Sequence, residues 1–185
     1  MDLRHFIRVY DGDLEPAFCQ RMIDSFHALS RFHQPNGGAA RPGLEESAWT
    51  ELNVSRMADA AFRGFFRQQI DRALERYNRD IKLEIAVPNS PKTADLILKR
   101  YRAGPTDRFQ VHFDSIHELA GRYVVLLWYL NDVAEGGETR FPQLDVSVSA
   151  RTGRLLMFPP YWMYQHTGLP AISGDKFIVS TYLMF

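Results

Sequence analysis

The segment FQVHFDSIHE, residues 109–118, places a histidine and an aspartate two positions apart in a run that otherwise reads as β-strand. Side chains at i and i+2 of an extended strand share a face. His112 and Asp114 are therefore expected to project together, with Phe113 opposite, as a nitrogen and an oxygen donor for a metal ion. Such a pair is common by chance and incomplete as a site, so its meaning depends on a third donor. Of the six histidines, His5, His27 and His33 lie in the N-terminal part, and His27 falls on the surface of an expected helix. His117 is an odd number of residues from His112 and would face away if the strand continued. That leaves His166, in YWMYQHTGLP, directly after the strand-like run RLLMFPP.

Two imidazoles and one carboxylate from separate strands suit a non-haem Fe(II) centre with three adjacent coordination positions open. Ten residues beyond His166, a lysine opens the apolar run KFIVSTYLMF. Burying a lone charge is expensive, so Lys176 needs a partner or an exposed position at the strand's beginning. An anionic co-substrate whose carboxylate pairs with the ammonium supplies that partner.

These residues need a scaffold, and the composition is that of a globular chain: 185 residues, 45% apolar and 24% charged. The length suits a single domain, residues 1–185. Lys plus Arg and Asp plus Glu both number 22, which gives no electrostatic reason to expect nucleic acid or an anionic membrane as partner. The basic run LKRYR, residues 98–102, reads as a solvated face. Cys19 is the only cysteine; it sits at helical spacing and reads as a small buried residue. The start of the sequence lacks the pattern of a signal peptide, and no apolar run reaches the roughly 18 residues of a membrane span. A cytoplasmic location is the default expectation.

Residues 1–92 read mainly as helical support. HFIRVY, residues 5–10, is expected to be a short strand. A helix then follows Asp13 as N-cap, with Pro16 in its first turn and Phe18, Met22, Phe26 and Leu29 as its buried stripe. A second helix is expected over residues 59–78, with Phe62, Phe66, Ile70, Ala73 and Tyr77 on one face. Residues 31–43, with their Gly and Pro breakers, read as a mobile loop, and residues 34–56 as a long irregular segment of the kind that often forms a lid, with the lid role itself left open. From residue 93 onward, short apolar or alternating runs separated by turns predict a β-sandwich or barrel with the helices on one outer face. EGG at 135–137 provides a turn in which Gly136 and Gly137 take positive φ. The class is α+β.

Residues 93–185 resemble the prolyl 4-hydroxylase-like group of 2-oxoglutarate- and Fe(II)-dependent oxygenases. The likeness is carried by His112-x-Asp114, VVLLWYLND, EGGETRFP, GRLLMFPP, His166 and Lys176 in that order; it is weaker in the helical half. The resemblance implies a double-stranded β-helix, or jelly roll. It implies iron held by His112, Asp114 and His166, and the distal carboxylate of 2-oxoglutarate paired with Lys176. It also implies that Tyr129 bonds that carboxylate and that Tyr101 lies near the metal side of the same pocket. The activity implied is decarboxylation of 2-oxoglutarate by O₂, coupled to hydroxylation of a C–H bond. Because Asp114 keeps its place among the ligands, no coordination site is freed for halide, which favours hydroxylation. Trp49, Tyr161, Trp162 and Tyr164 are expected either to line a pocket for a peptide proline or a small molecule, or to cap the core. Two alternatives stand beside this reading: a cupin-like metalloenzyme that does not use 2-oxoglutarate, and a non-enzymatic jelly-roll binding module.

Overall fold

The computed structural model describes residues 2–38, 40 and 43–185. Along them run strands β1 (Arg8–Tyr10), β2 (Gln34–Gly37), β3 (Ala48–Asn53), β4 (Ile97–Tyr101), β5 (Phe109–His112) and β6 (Arg122–Tyr129). They continue with β7 (Thr139–Phe141), β8 (Val146–Val148), β9 (Leu155–Phe158), β10 (His166–Gly168) and β11 (Lys176–Met184). Helices α1 (Pro16–Ala28) and α2 (Ala60–Ile81) precede β2 and β4 respectively. The strands form a seven-stranded sheet in the order β1-β9-β6-β11-β4-β3-β2 and a four-stranded sheet in the order β5-β10-β7-β8. This is the jelly-roll arrangement expected, with both helices on the outer face of the larger sheet.

The continuous apolar run of β6 follows from burial on both faces. Val124, Leu126 and Trp128 pack with Phe26, Phe66, Ile70, Leu74 and Tyr77 from the helices. Val125, Leu127 and Tyr129 point the other way, into a second core between the sheets with Phe141, Phe158 and Ile178. In β11, Phe177, Val179 and Leu183 join the helix-side core, while the period of two turns Lys176, Ile178, Ser180 and Tyr182 toward the interior of the jelly roll.

Helix α2 starts as predicted, with the Asp59 carboxylate accepting from the Phe62 amide at 2.8 Å, a cap worth about 1 kcal/mol. Helix α1 does not use Asp13 as its cap. Glu15 holds that position with Pro16 as the first helical residue, whereas Asp13 accepts the Trp128 indole N–H at 2.6 Å. The first strand is shorter than expected, because Leu3–Phe6 form a 3-10 turn. The largest departure lies in residues 31–56. Instead of an irregular segment they contain β2 and β3, which extend the large sheet through β4. The buried positions of β3, Trp49 and Leu52, lie three apart and pack into opposite cores, so AWTELN shows no simple alternation. The loop expectation for Ala39, Arg41 and Pro42 lies outside the described residues.

Candidate metal centre and co-substrate cavity

His112 ends β5 and His166 begins β10, and the two residues are direct cross-strand partners. Residues opposite one another in an antiparallel pair bring their Cβ atoms within about 5 Å. The imidazole centroids are 4.2 Å apart. Asp114 lies beyond the end of the strand, so its approach does not rest on strand periodicity. A different contact places it: the amides of Asp114 and Ser115 both donate to the Pro160 carbonyl at 3.0 Å, tying the segment after β5 to the segment before β10. The Asp114 Oδ1 atom then lies 3.7 Å from His112 Nε2, and Oδ2 lies 3.5 Å from His166 Nε2.

Three features show that these residues suit a cation. First, His112 Nδ1 bonds the Gln110 carbonyl at 2.8 Å and His166 Nδ1 bonds the Tyr164 carbonyl at 3.1 Å. A carbonyl only accepts, so each Nδ1 carries the proton and each Nε2 offers a lone pair. Second, burial pushes the His112 imidazole down to about 3, helped by His166, and burial also lowers His166. Both rings are therefore neutral donors at pH 7. Third, Asp114 Oδ2 is buried without any hydrogen-bond partner, an arrangement that costs about 1–3 kcal/mol unless something meets the oxygen. Burial raises the Asp114 carboxyl, yet His166, His112, the Tyr182 hydroxyl and Arg122 more than offset this and hold it below its usual range. One donor atom from each residue falls within a 4.8 Å span. The donor set fits a divalent cation, and iron in particular.

Aromatic rings fix the imidazoles from outside. Phe109 stacks on His112 with centroids 3.5 Å apart, and Trp49 lies 4.7 Å beyond Phe109. Of the other histidines, His33 stacks on Phe26, His5 bonds the Ile81 carbonyl, and His27 and His117 are exposed.

The cavity behind the trio is lined by Tyr101, Thr139, Gly168 and Lys176. Lys176 is 2% exposed, so the exposed alternative for it is excluded. Its Nζ donates to the Gly137 carbonyl at 3.0 Å and sits 4.4 Å from the centroid of the Tyr101 ring. Gly137 reaches this position through a turn in which Gly136 and Gly137 both have φ of 75°. A Cβ on Gly136 would lie 2.3 Å from the Pro170 carbonyl oxygen. Burial pushes Lys176 down to about 8. Tyr129 lies one layer back: its hydroxyl donates to Thr139 Oγ1 at 2.6 Å, and Thr139 borders the cavity. With its oxygen engaged as acceptor, the Thr139 hydroxyl has its own proton to donate inward.

A groove of about 900 Å³ opens on the other side of the trio, with Trp49, Val111, Ile116 and Arg122 among its walls. Of Trp49, Tyr161, Trp162 and Tyr164, the aromatic residues expected to line a pocket, Trp49 alone borders it. Tyr161 packs against the helix-side core and Tyr164 belongs to the core between the sheets, while Trp162 is 65% exposed. The basic run also departs from expectation. Lys99 points inward and borders both spaces, above the rings of Trp49 and Phe109. Thr139, Lys99, Ser180 and Tyr182 were not singled out from sequence. Lys99 shares a two-residue period with Tyr101 on β4, and Ser180 and Tyr182 share one with Lys176 on β11, whereas Thr139 opens β7 and carries no such signal.

Residues 96–184 match the family described as the 2OG-Fe(II) oxygenase superfamily. No curated protein matches the chain. Among solved structures, a prolyl hydroxylase from Trichoplax adhaerens, in complex with a hypoxia inducible factor oxygen degradation domain peptide fragment, superposes with a TM-score of 0.75 at 14% identity. It covers 97% of this chain and 84% of that one. A Pseudomonas putida prolyl-4-hydroxylase gives 0.72 at 17% identity, covering 100% and 96% of the two chains. The 2OG complex of a viral collagen prolyl hydroxylase from Paramecium Bursaria Chlorella virus-1 gives 0.66 at 19% identity, covering 96% and 94%. No helix among the described residues is long and apolar enough to cross a membrane. The match of residues 96–184 to the 2OG-Fe(II) oxygenase superfamily falls on a jelly roll whose interior gathers two histidines and an aspartate, and that family implies Fe(II), 2-oxoglutarate and O₂ as cofactors.

Proposed function

We propose that this enzyme hydroxylates a prolyl residue within a peptide or protein segment. The overall reaction consumes 2-oxoglutarate, O₂ and a substrate C–H, and yields succinate, CO₂ and the C–OH product. His112, Asp114 and His166 hold the iron. Bound there, Fe(II) supplies the redox chemistry that no side chain of the cavity possesses. Lys176 and the Thr139 hydroxyl, with Tyr129 behind it, hold the distal carboxylate of 2-oxoglutarate, and Tyr101 walls the cavity beside Lys176. The single observation that carries this reading is the confinement in one cavity of a buried lysine whose only hydrogen bond among the described residues is to a backbone carbonyl and of a buried carboxylate oxygen with no hydrogen-bond partner among them. A dianion and a dication satisfy both at once. The peptide substrate is supported by the open groove, whose apolar walls at Trp49, Val111 and Ile116 suit an extended segment, and by the peptide bound to the Trichoplax adhaerens relative.

The test is incubation with Fe(II), 2-oxoglutarate and prolyl peptides in air, following succinate and product mass. A gain of one oxygen on proline, matched by succinate, is expected. Succinate formation with oxygen entering free amino acids, and never a peptide, would reject the peptide assignment.

A pH dependence follows from Lys176. Its folded value of about 8 lies below the ordinary 10.5, so the unliganded protein loses this positive charge as pH rises through 8. The charge-assisted bond to a carboxylate goes with it. The dissociation constant of 2-oxoglutarate should therefore rise between pH 8 and 10 and stay flat from pH 6 to 7.5. Calorimetric titration of the metal-loaded protein measures this directly.

A further inference from the structure

The reading of the trio as a metal centre leaves open how the Asp114 carboxylate is aimed. On that reading, we infer that Tyr182 is the positioning residue that fixes which carboxylate oxygen faces the metal. Tyr182 projects from the inward face of β11 and borders both the cavity and the groove. Its hydroxyl donates to Asp114 Oδ1 at 2.9 Å, whereas Oδ2 has no partner and turns toward His166 Nε2. The two oxygens of one carboxylate are thus made inequivalent by a single phenol.

Tyr182 is itself clamped. The Arg122 guanidinium lies over its ring, 3.8 Å from the centroid, and Arg122 Nη1 donates to the Asp114 carbonyl at 3.3 Å. One cation therefore braces both the phenol and the backbone of the ligand it orients. Together with the Pro160 carbonyl that receives two amides, these contacts hold the backbone and one oxygen of Asp114 before any metal arrives. Without the phenol, the side chain is free to turn about its last torsion, which is broad for aspartate. It is then free to offer both oxygens to the ion, filling a coordination position that an oxygenase needs open. Partners that orient a metal ligand typically change affinity by about 10- to 100-fold when removed.

The experiment is titration of the full-length metal-free protein with Co(II) alone, read by visible absorption. Tyr182→Phe should raise the Co(II) dissociation constant at least about tenfold and alter the shape of the Co(II) spectrum, which a purely structural role would not move. A wild-type constant and spectrum in this variant would overturn the inference. A second derivative guards against a folding defect in the first: 3,5-difluorotyrosine installed at position 182 alone keeps the ring while making the phenol a stronger donor. Its Co(II) spectrum should shift, and an unshifted spectrum overturns the role of the hydrogen bond. Failure of the wild-type protein itself to bind Co(II) would instead reject the metal-centre reading, so the two failures are distinguishable.

Discussion

Asp114→Ala should abolish 2-oxoglutarate turnover, by about a thousandfold or more, which corresponds to ~4 kcal/mol of lost transition-state stabilisation, while leaving the protein folded. The expectation of an intact fold comes from what Asp114 does and does not hold. Its amide bond to Pro160 belongs to the backbone and survives the substitution. Its side chain leaves one oxygen buried and unsatisfied when no cation is bound, so the metal-free variant sheds a cost as well as a contact with Tyr182. Thermal unfolding with and without Mn(II) separates these effects. Wild type should be stabilised by the ion, as any ligand that binds only the folded state does. The variant should unfold at a similar temperature to metal-free wild type and gain nothing from Mn(II). A variant that Mn(II) still stabilises as strongly as wild type would remove Asp114 from the ligand set.

Lys176→Met should have the opposite signature on stability, strengthening the protein while disabling it. Displacement of a lysine from 10.5 to about 8 by burial means that the charged form is disfavoured in the fold by about 3 kcal/mol. The sign follows from linkage: the folded value is depressed, so the stability of the neutral form is present above 10.5 and is lost as pH falls through 8. At pH 7 the cost stands in full. Methionine has nearly the same reach and no charge, so the variant should unfold several degrees higher, at about 2–4 °C per kcal/mol for a chain of this size. Its Gly137 carbonyl partner loses a donor, which trims the gain. The 2-oxoglutarate requirement should rise at least about tenfold, since a hydrogen bond to a charged group is worth about 1.5–3 kcal/mol. A Lys176→Met protein that is less stable than wild type and saturates normally with 2-oxoglutarate would contradict both halves.

How far the sequence foretold this site differs by residue and for physical reasons. The helical stripes were legible because a 3.6-residue period over three or more turns is a strong signal; Met22, Phe26, Phe66, Ile70, Ala73 and Tyr77 are all buried. The β-rich half was legible from its short bounded runs. His112 and Asp114 were paired by a strand argument that describes only the first of them, since β5 stops at His112. The two meet because Pro160, far along the chain, receives the Asp114 amide, a contact no local pattern announces. Residues 31–56 were misread because Gly and Pro crowd their start and AWTELN lacks an alternating pattern, its buried Trp49 and Leu52 lying three apart. Thr139 and Tyr182 were passed over because a threonine or tyrosine in a strand is ordinary β-sheet composition. Only the sheet topology shows that their faces turn toward the same cavity as Lys176.

The opposition of His112 and His166 across β5 and β10 has a consequence for how this chemistry tolerates change. Those strands have four and three residues, and a slip of one position would turn every side chain in them to the opposite face. Insertions in the connecting loops leave that alignment untouched, whereas a single added residue between 109 and 112 would throw one imidazole outward and leave the rest of the barrel standing. Catalytic competence in this scaffold is thus inherited through alignment of two short neighbouring strands, and loop length is free to drift with whatever substrate the mouth must admit.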